Sequence, residues 1–461
     1  MHNRRQFLLA AAGSAAALAQ PEPRLNVVFV LADDLGWADV GCNGGDLHET
    51  PHIDRLAASG MRFTHAYSAA PICSPTRASI MTGKHPARLH MTIWYEGALR
   101  AVRDRKLIPP ATVADLPHSE TTLAEVLRER GYATGLVGKW HLGSAAYYPE
   151  TQGFDSNVGG TLWGAPNSFF YPYRGTGRFG GEFRYVPGLD GGKEGEYLTD
   201  RFTEEAIRFI DRSASRPFFL YLAHHAPHTP IQAKKDLIEH YQKKIGPGMN
   251  HQNPVYAAMV HSLDESVGRI LRHLEEKRLA DRTIVVFTSD NGGYINPFEG
   301  KPVTNNHPLR SGKGSLYEGG IRVPLLIRWP GKTKPGSVCG EPVVSTDLFS
   351  TLSQTPGGDG KPLTALLDGS AKTLDRDALY FHYPHYYATT TPVSAIRTRD
   401  YKLLHYYEDN RDELYDLTRD EGEKTDLAAK MPERAAALRG RLEEWLRGVD
   451  AQLPRRNPAI P

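Results

Sequence analysis

Cysteine and long apolar runs are both scarce in this chain. Its 461 residues include three cysteines, Cys42, Cys73 and Cys339, too few to build a disulfide framework. The sequence leaves open whether Cys42 and Cys339 pair. Beyond residues 1–19 no run is apolar enough to cross a bilayer, and we find no internal repeat. We therefore expect a large globular protein without a stable membrane anchor.

A strong excess of charge is also absent. The chain has 55 basic and 53 acidic residues, a formal net charge of +2. Arg4 and Arg5 lie in the N-terminal segment, and removing residues 1–19 would leave 53 residues of each sign. A net charge near zero gives no reason to expect a nucleic-acid partner. Any preference for an anionic ligand must therefore be local.

The first 19 residues are typical of an export signal. Arg4 and Arg5 precede Phe7-Leu8 and an alanine-rich apolar run, which resembles a twin-arginine signal. Ala17-Leu18-Ala19 resembles a cleavage site. The alternatives are an ordinary secretory signal or a membrane anchor, but the run is short for a membrane span. We predict an exported protein, periplasmic or extracellular.

Strands and helices alternate along most of the chain, which predicts an α/β fold with helices around an open sheet. The apolar run from Asn26 to Leu31 is typical of a buried parallel strand. From Val255 to Leu274 the apolar residues recur at helical spacing. Further strands are predicted at 133–137, 217–222, 283–288 and 323–327, and further helices at 50–60, 121–130 and 199–212.

The C-terminal part has a different pattern. Residues 355–375 are rich in Gly, Asp, Pro and Lys and are interpreted as a linker. Beyond it, strand-like segments at 378–383, 393–397 and 401–406 precede an amphipathic helix at 432–448. After the signal we therefore predict two domains, a large one at 22–365 and a smaller one at 370–461.

Polar side chains repeatedly follow the ends of the predicted strands, where open α/β sheets bind their ligands. Adjacent acids such as Asp33 and Asp34 repel each other unless a cation neutralises them. Oxygen ligands suit Ca²⁺ or Mg²⁺, although an isolated acidic pair also occurs in turns and helix caps. The residues that follow strands in this way are Asp33, Asp34, Lys139, His141, His224, His225, His228, Asp290 and Asn291.

One short segment combines a lone cysteine with a predicted helix start. In Cys73-Ser74-Pro75-Thr76-Arg77, Ser74 suits an N-cap and Pro75 the first helical position, and Gly83 is a good stop. Cys73 would then lie just ahead of a helix N-terminus, which favours an anion. Arg77 follows four residues later, so its guanidinium could lie near the Cys73 side chain.

The motif Cys-x-Pro-x-Arg at Cys73–Arg77 resembles the signature of the formylglycine-dependent sulfatases, which belong to the arylsulfatase type of the alkaline phosphatase superfamily. Further segments of that family occur in family order. The resemblance implies a large doubly wound mixed sheet flanked by helices, with a smaller C-terminal antiparallel sheet plus one helix. The other matching segments are Val30–Gly36, Gly138–Gly143, Ala226–Pro230, Phe287–Gly293 and Gly312–Gly320.

The resemblance also implies a ligand set and a nucleophile. A formylglycine-generating enzyme would oxidise Cys73 to an aldehyde, whose hydrate attacks sulfur and whose second hydroxyl later expels sulfate. Ca²⁺, in preference to Mg²⁺, would be held by Asp33, Asp34, Asp290, Asn291 and the residue 73 oxygen.

The same resemblance divides the remaining catalytic work among five side chains. Arg77 and Lys139 would stabilise the ionised nucleophile, and Lys313 would hold a sulfate oxygen. His228 would donate a proton to the leaving oxygen, and His141 would remove one from the covalent adduct. Lys139, His228 and Lys313 would thus also contact the substrate, and the motif leaves His224 and His225 as packing groups.

The predicted activity is hydrolysis of a sulfate ester. A phosphate or phosphonate ester hydrolase of the same superfamily and a catalytically inactive binding relative are the alternatives. Export and aromatic loops favour a sulfated glycan over a small sulfate ester. His382 and His385 are predicted at the substrate rim, and the aromatic residues that could stack on sugars are Trp163, Phe169, Phe170, Tyr171 and Tyr173.

Overall fold

A computed structural model describes residues 24–176, 181–189, 191–355 and 357–460. The predicted export signal lies outside these ranges, and within them no helix is long and apolar enough to cross a membrane. The strands in chain order are β1 (Asn26–Ala32), β2 (Met61–Phe63), β3 (Ala66–Tyr67), β4 (Leu107–Ile108), β5 (Ala133–Gly138), β6 (Ser156–Val158), β7 (Phe218–Ala223), β8 (Thr283–Ser289), β9 (Leu325–Arg328), β10 (Ser337–Cys339), β11 (Val343–Val344), β12 (Ala378–Tyr383), β13 (Val393–Thr398), β14 (Tyr401–Tyr406), β15 (Arg411–Asp416) and β16 (Arg455–Arg456).

The helices lie between these strands, and the predicted ones begin and end within a few residues of their observed bounds. In chain order they are α1 (Pro51–Ser59), α2 (Cys73–Thr82), α3 (Pro86–Leu89), α4 (Tyr95–Ala98), α5 (Leu123–Glu129), α6 (Leu198–Ser213), α7 (Lys235–Lys244), α8 (Pro254–Glu276), α9 (Glu318–Ile321), α10 (Thr346–Ser353), α11 (Thr364–Leu367) and α12 (Pro432–Gly448).

The large sheet has eight strands in the order β10-β2-β9-β8-β1-β7-β5-β6. The central strands are parallel, so that Ala32 of β1 lies beside Ser289 of β8. Strand β9 is antiparallel to both of its neighbours. The mixed sheet confirms the predicted α/β fold. Its parallel centre also brings the carboxyl ends of β1, β5, β7 and β8 to one edge.

Strand β1 is buried on both faces because helices cover both sides of the sheet. Val28 and Val30 pack into the apolar core that includes α6 and α8. Phe29 and Leu31 point the other way, into the core that includes α2, α5 and α10. This alternation explains why the strand is apolar throughout rather than at every second residue.

The smaller sheet is antiparallel, in the order β12-β13-β14-β15. One face packs against α12 through Leu403 and Leu442, and the other packs through Leu404 onto Ile72, which precedes Cys73. The sequence did not predict β15, since four of the six residues of this edge strand are charged. The C-terminal sheet therefore supports the segment that carries Cys73.

The aromatic residues predicted to stack on sugars lie in the segment between β5 and α6. The segment contains β6 and two single turns of 3-10 helix. Phe169 and Tyr173 are 0% and 1% exposed and belong to the core, so they cannot stack on a sugar. These two side chains anchor the segment to the core instead.

We predict that Gly138→Ala strongly destabilises the protein. Gly138 ends β5 with φ of 109°, and a Cβ there would lie 1.9 Å from the Ala223 carbonyl oxygen. Strain and the clash should lower the free energy of unfolding by roughly 2 kcal/mol or more. Urea unfolding followed by circular dichroism measures the change.

Gly440→Ala is the matched control. Gly440 lies within α12, where a new Cβ meets nothing within 4 Å. The free energy of unfolding should rise there by about 0.5–1 kcal/mol, because alanine is the better helix former. Equal effects of the two substitutions would contradict the assigned backbone geometry.

Candidate active site

Acidic side chains from two neighbouring parallel strands meet at the carboxyl edge of the large sheet. Asp33 and Asp34 follow β1, and Asp290 and Asn291 follow β8; all four are 0% exposed. The backbone N–H of Asp34 donates to Asp290 Oδ1 at 3.2 Å. The register of β1 and β8 thus brings together residues that are more than 250 positions apart in sequence.

Cys73 is the first residue of α2, with Ile72 as the N-cap. The prediction that Ser74 caps this helix was wrong, because its hydroxyl donates to the His141 carbonyl at 2.8 Å and accepts from the Tyr95 N–H at 3.2 Å. Gly83 ends the helix as predicted, at φ of 69°. Ser74 therefore ties the start of α2 to the segment after β5.

The Cys73 side chain points toward the carboxylates of Asp33 and Asp34. Its Sγ lies 3.6 Å from Asp33 Oδ1, 4.0 Å from Asp34 Oδ1 and 3.4 Å from Lys313 Nζ. Burial and then Asp290 raise the pKa of the thiol far above its ordinary value. The thiol itself is thus protonated and a weak nucleophile.

Three buried cations pair with the three buried carboxylates. Arg77 Nη2 lies 2.8 Å from Asp290 Oδ2, Lys139 Nζ lies 2.8 Å from Asp33 Oδ2, and Lys313 Nζ lies 2.7 Å from Asp34 Oδ1. The side chains are at most 5% exposed. Charges this deep are tolerated only when they are paired, so each cation is required by the acid that it contacts.

The carboxylates nevertheless differ in their protonation. Burial raises the pKa of Asp33 to about 7, and the nearby Lys139 only partly offsets it. Burial also acts on Asp34, but Lys313 brings its pKa below the ordinary value. The Oδ1 atom of Asn291 is buried and has no hydrogen-bond partner. An unsatisfied oxygen beside a carboxylate group fits the donor set of a hard cation.

Two of the predicted histidines reach the same space. His141 Nε2 lies 2.7 Å from Glu96 Oε2, while its Nδ1 is buried without a hydrogen-bond partner. Burial, opposed by Glu96, lowers the pKa of His141 to about 4. His228 Nε2 lies 3.5 Å from Asp34 Oδ2, and its Nδ1 lies 2.7 Å from the Thr229 carbonyl. The low pKa of His141 keeps this ring neutral near pH 7 in this state.

These groups surround one cavity of about 490 Å³. Cys73, His141, His228 and Lys313 line it, whereas His224 and His225 are buried behind it. Residues that the sequence did not single out also contribute to the wall. The residues of this second set are Ile72, Trp94, Glu96, Arg100, Gly164, Ala165, Arg184, Thr229, Tyr294 and Tyr387.

The structure does not put His382 or His385 on the cavity wall. His382 lies 2.6 Å from Ser394 Oγ through Nδ1 and 2.9 Å from the Gln452 carbonyl through Nε2. His385 Nε2 lies 2.7 Å from Thr92 Oγ1. Both side chains are buried. His382 links β12 to β13 and to the residues after α12, and His385 links the segment after β12 to Thr92. Tyr387 from the same segment reaches the cavity.

Sequence reasoning missed Glu96 and Arg184. Arg184 Nη2 lies 3.2 Å from Glu96 Oε1, and its guanidinium lies 4.9 Å from the centre of the Trp163 ring. Neither residue belongs to a recognisable motif, and Glu96 lies 45 and 88 positions from His141 and Arg184. Only the folded arrangement identifies them.

Comparisons with known proteins match most of the chain. The profile named Sulfatase matches residues 25–357, and the profile N-sulphoglucosamine sulphohydrolase, C-terminal, matches residues 311–452. A protein named Sulfatase from Formosa agariphila is 32% identical, over 91% of this chain and 88% of its own. N-acetylgalactosamine-6-sulfatase from Homo sapiens is 35% identical, over 79% of this chain and 69% of its own.

Solved structures agree with these matches. The structure of Ps i-CgsB in complex with k-i-k-neocarrahexaose has a TM-score of 0.75 and 31% identity. It covers 92% of this chain and 93% of its own chain. The similarity thus includes both the large sheet and the C-terminal sheet.

We predict that Arg77→Met is costly in the metal-free protein. Arg77 pairs with Asp290 while fully buried, so its loss leaves an unpaired buried carboxylate. The free energy of unfolding in the presence of a chelator should fall by about 3–5 kcal/mol. Urea unfolding of both proteins in the presence of the chelator measures this difference in the free energy of unfolding.

Arg55→Met is the control for that measurement. Arg55 and Glu275 are also 2.8 Å apart, but their side chains are 55% and 40% exposed. Loss of this pair should cost less than about 1 kcal/mol. Similar costs for the buried and the exposed pair would refute the role given to burial.

Proposed function

From the premise that this chain belongs to the sulfatase family and is a sulfuric ester hydrolase, we propose that it removes sulfate from a sulfated carbohydrate. One observation carries the proposal. Cys73 and Lys313 line one cavity, and they contact a buried group formed by Lys139 and the carboxylates of residues 33, 34 and 290. Cationic groups beside a cavity suit a tetrahedral anion such as sulfate.

A carbohydrate substrate is supported by the cavity walls and by relatives. Trp94 and Tyr387 contribute aromatic surface, and their ring centres are 5.7 Å apart. Aromatic faces provide rigid contact area for sugars, and Arg100 and Arg184 add positive charge to the same wall. One relative is named for N-acetylgalactosamine-6-sulfate chemistry and another structure holds a neocarrahexaose.

The proposed ion is Ca²⁺, held by Asp33, Asp34, Asp290, Asn291 and an oxygen on residue 73. An all-oxygen set of this size suits the high coordination number of Ca²⁺ better than the strict octahedron of Mg²⁺. The unpartnered Asn291 Oδ1 supports the assignment. When bound, the ion would lower the cost of negative charge on a ligand oxygen.

We propose that Cys73 is oxidised to formylglycine, which would supply a hydrated aldehyde as the nucleophile. Cys73 is 2% exposed in the folded chain. A formylglycine-generating enzyme therefore has to act before α2 and the sheet close around the thiol. Burial also keeps the unmodified thiol protonated, which argues against a thiolate mechanism.

The remaining side chains would stabilise charge or transfer protons, depending on where each lies in the site. Lys139 and Arg77 lie beside the carboxylates and would offset negative charge at residue 73. His228 and Lys313 face the cavity where the leaving alcohol needs a proton. Because His141 donates its Nε2 proton to Glu96, its Nδ1 is free to accept one. His141 is the proposed base, and Glu96 fixes its tautomer.

Export, the domain division and the signal remain proposals that follow from the sequence. The twin-arginine-like segment at 1–19 supports a periplasmic or extracellular enzyme. Twin-arginine export carries a chain that has already folded, which fits a residue modified beforehand. The division into a catalytic domain at 22–365 and a C-terminal domain at 370–461 is supported by separate sheets on either side of the linker.

The substrate proposal predicts release of free sulfate from sulfated mono- and oligosaccharides. Sulfate measured by ion chromatography should give a kcat/KM at least about tenfold above that for phosphate release from the same sugar phosphate. Hydrolysis of aryl sulfates alone, with no carbohydrate sulfate cleaved, would refute the substrate class. Faster cleavage of the phosphate ester would favour a phosphatase on the same scaffold.

The tautomer argument predicts a specific effect of Glu96→Gln. A glutamine can donate to His141 Nε2 and so move the proton to Nδ1, where it blocks the base. We expect kcat to fall roughly 100-fold with little change in KM.

Glu182→Gln is the matched control. Glu182 also pairs with Arg184, at 3.0 Å, but it has no contact with His141 in the described structure. Its kcat should stay within about twofold of wild type. An equal loss of kcat in both variants would assign the effect to Arg184 instead.

A further inference from the structure

A second group of metal-binding side chains lies beside the active site and has no part in the proposed mechanism. It consists of Asp39, His48 and His251, called here the Asp39 cluster. All three residues are buried, at 0%, 5% and 4% exposure. They come from three separate segments, namely the 3-10 turns after β1, the residues before α1 and the loop before α8.

The ligand atoms of the cluster are spaced as they would be around one ion. His251 Nε2 lies 3.2 Å from Asp39 Oδ1, and His48 Nδ1 lies 3.6 Å from the same oxygen. Bonds of about 2.1 Å in a tetrahedral zinc site separate neighbouring ligands by about 3.4 Å. The three ligand atoms lie within 4.8 Å of one another.

His48 gives an independent indication of a ligand. Its Nδ1 is buried and has no hydrogen-bond partner, although the ring packs closely between His251 and Tyr256, with ring centres 4.5 Å and 5.6 Å away. A buried polar atom without a partner is costly. It is directed toward Asp39, where an ion would satisfy it.

Groups around the cluster hold the ligands in place. His251 Nδ1 lies 2.6 Å from Asp46 Oδ1, the carboxylate–histidine contact that orients an imidazole for a metal. The Thr304 hydroxyl donates to Asp39 Oδ1 at 2.9 Å. The Asn305 carbonyl lies 3.1 Å from His251 Nε2 and offers a further oxygen.

We propose that the Asp39 cluster binds a first-row divalent transition metal such as Zn²⁺. Two imidazole nitrogens and one carboxylate suit this class of ion, whereas the oxygen donors of the catalytic group suit a hard cation. The chain would then hold two different metals in neighbouring sites.

The second metal would support the catalytic edge of the sheet. The Tyr256 hydroxyl lies 2.6 Å from Asp39 Oδ2 and 3.2 Å from the main-chain oxygen of Asp34. Asp34 has a positive φ of 65°, a backbone conformation that neighbouring contacts must maintain. An ion on Asp39 would fix Tyr256 and, through it, the turn that carries Asp34.

The test measures metal content in the full chain with Cys73→Ser, which removes the thiol from the catalytic group. The protein is equilibrated with excess Ca²⁺ and limiting free Zn²⁺, separated from unbound metal and analysed by mass spectrometry for zinc and calcium. We expect about one zinc per chain. His48→Ala in the same background should lose this zinc and keep its calcium.

His240→Ala is the matched control, because His240 is half-exposed and pairs with Glu49 at the surface. It should retain the zinc. Equal zinc in the His48→Ala and Cys73→Ser proteins, or no zinc in the latter, would overturn the proposal. If His48→Ala does not fold, the visible absorption spectrum of Co²⁺ added to the Cys73→Ser protein tests the site instead. Intense visible bands of a four-coordinate ion support the site, and weak six-coordinate bands or no binding refute it.

Discussion

Pairing of buried charges at the carboxyl edge of the large sheet is the constraint on which the site depends. Asp33, Asp34 and Asp290 would repel one another in a low-dielectric interior. Arg77, Lys139 and Lys313 each contact at least one of them, so the acids and the cations have to assemble together. The parallel register of β1 and β8 brings the acids together, and the cations come from α2 and from the segments after β5 and β8. The proposed metal ion would add to this charge pairing, which is already present without it.

If residue 73 is converted to formylglycine as proposed, its burial explains why the conversion has to come early. The same surroundings that shield the site from water raise the pKa of the thiol and close off access to it. On the open side of the cavity, Arg100, Arg184 and Lys313 provide positive charge that suits a sulfate-sized anion. Cys73 is thus almost fully buried at the wall of a cavity that is open on its other side.

Much of the fold could be predicted because its signals are local. The apolar runs of β1 and β8 and the helical spacing in α8 appear within single segments, and the bounds of β12, β14 and α12 were predicted to the residue. The prediction that the polar residues after these strands lie together followed from the rule that parallel strands have their carboxyl ends at one edge of the sheet. Motif segments then identified which of those residues share one site.

The rest depended on contacts between distant segments. Glu96 meets His141 and Arg184 across 45 and 88 positions, and no local pattern marks it. Serine is a residue type that often caps helices, but the Ser74 hydroxyl donates a hydrogen bond to the His141 carbonyl instead. His382 and His385 were predicted at the substrate rim, but in the folded chain both are buried and contact Ser394 and Thr92 instead.

Mass spectrometry of the peptide that contains Cys73, from active enzyme made with a formylglycine-generating enzyme, tests the central claim most directly. The account predicts that residue 73 has lost sulfur and carries an aldehyde, in proportion to sulfate-releasing activity. Fully active enzyme in which residue 73 is an unmodified thiol would contradict it.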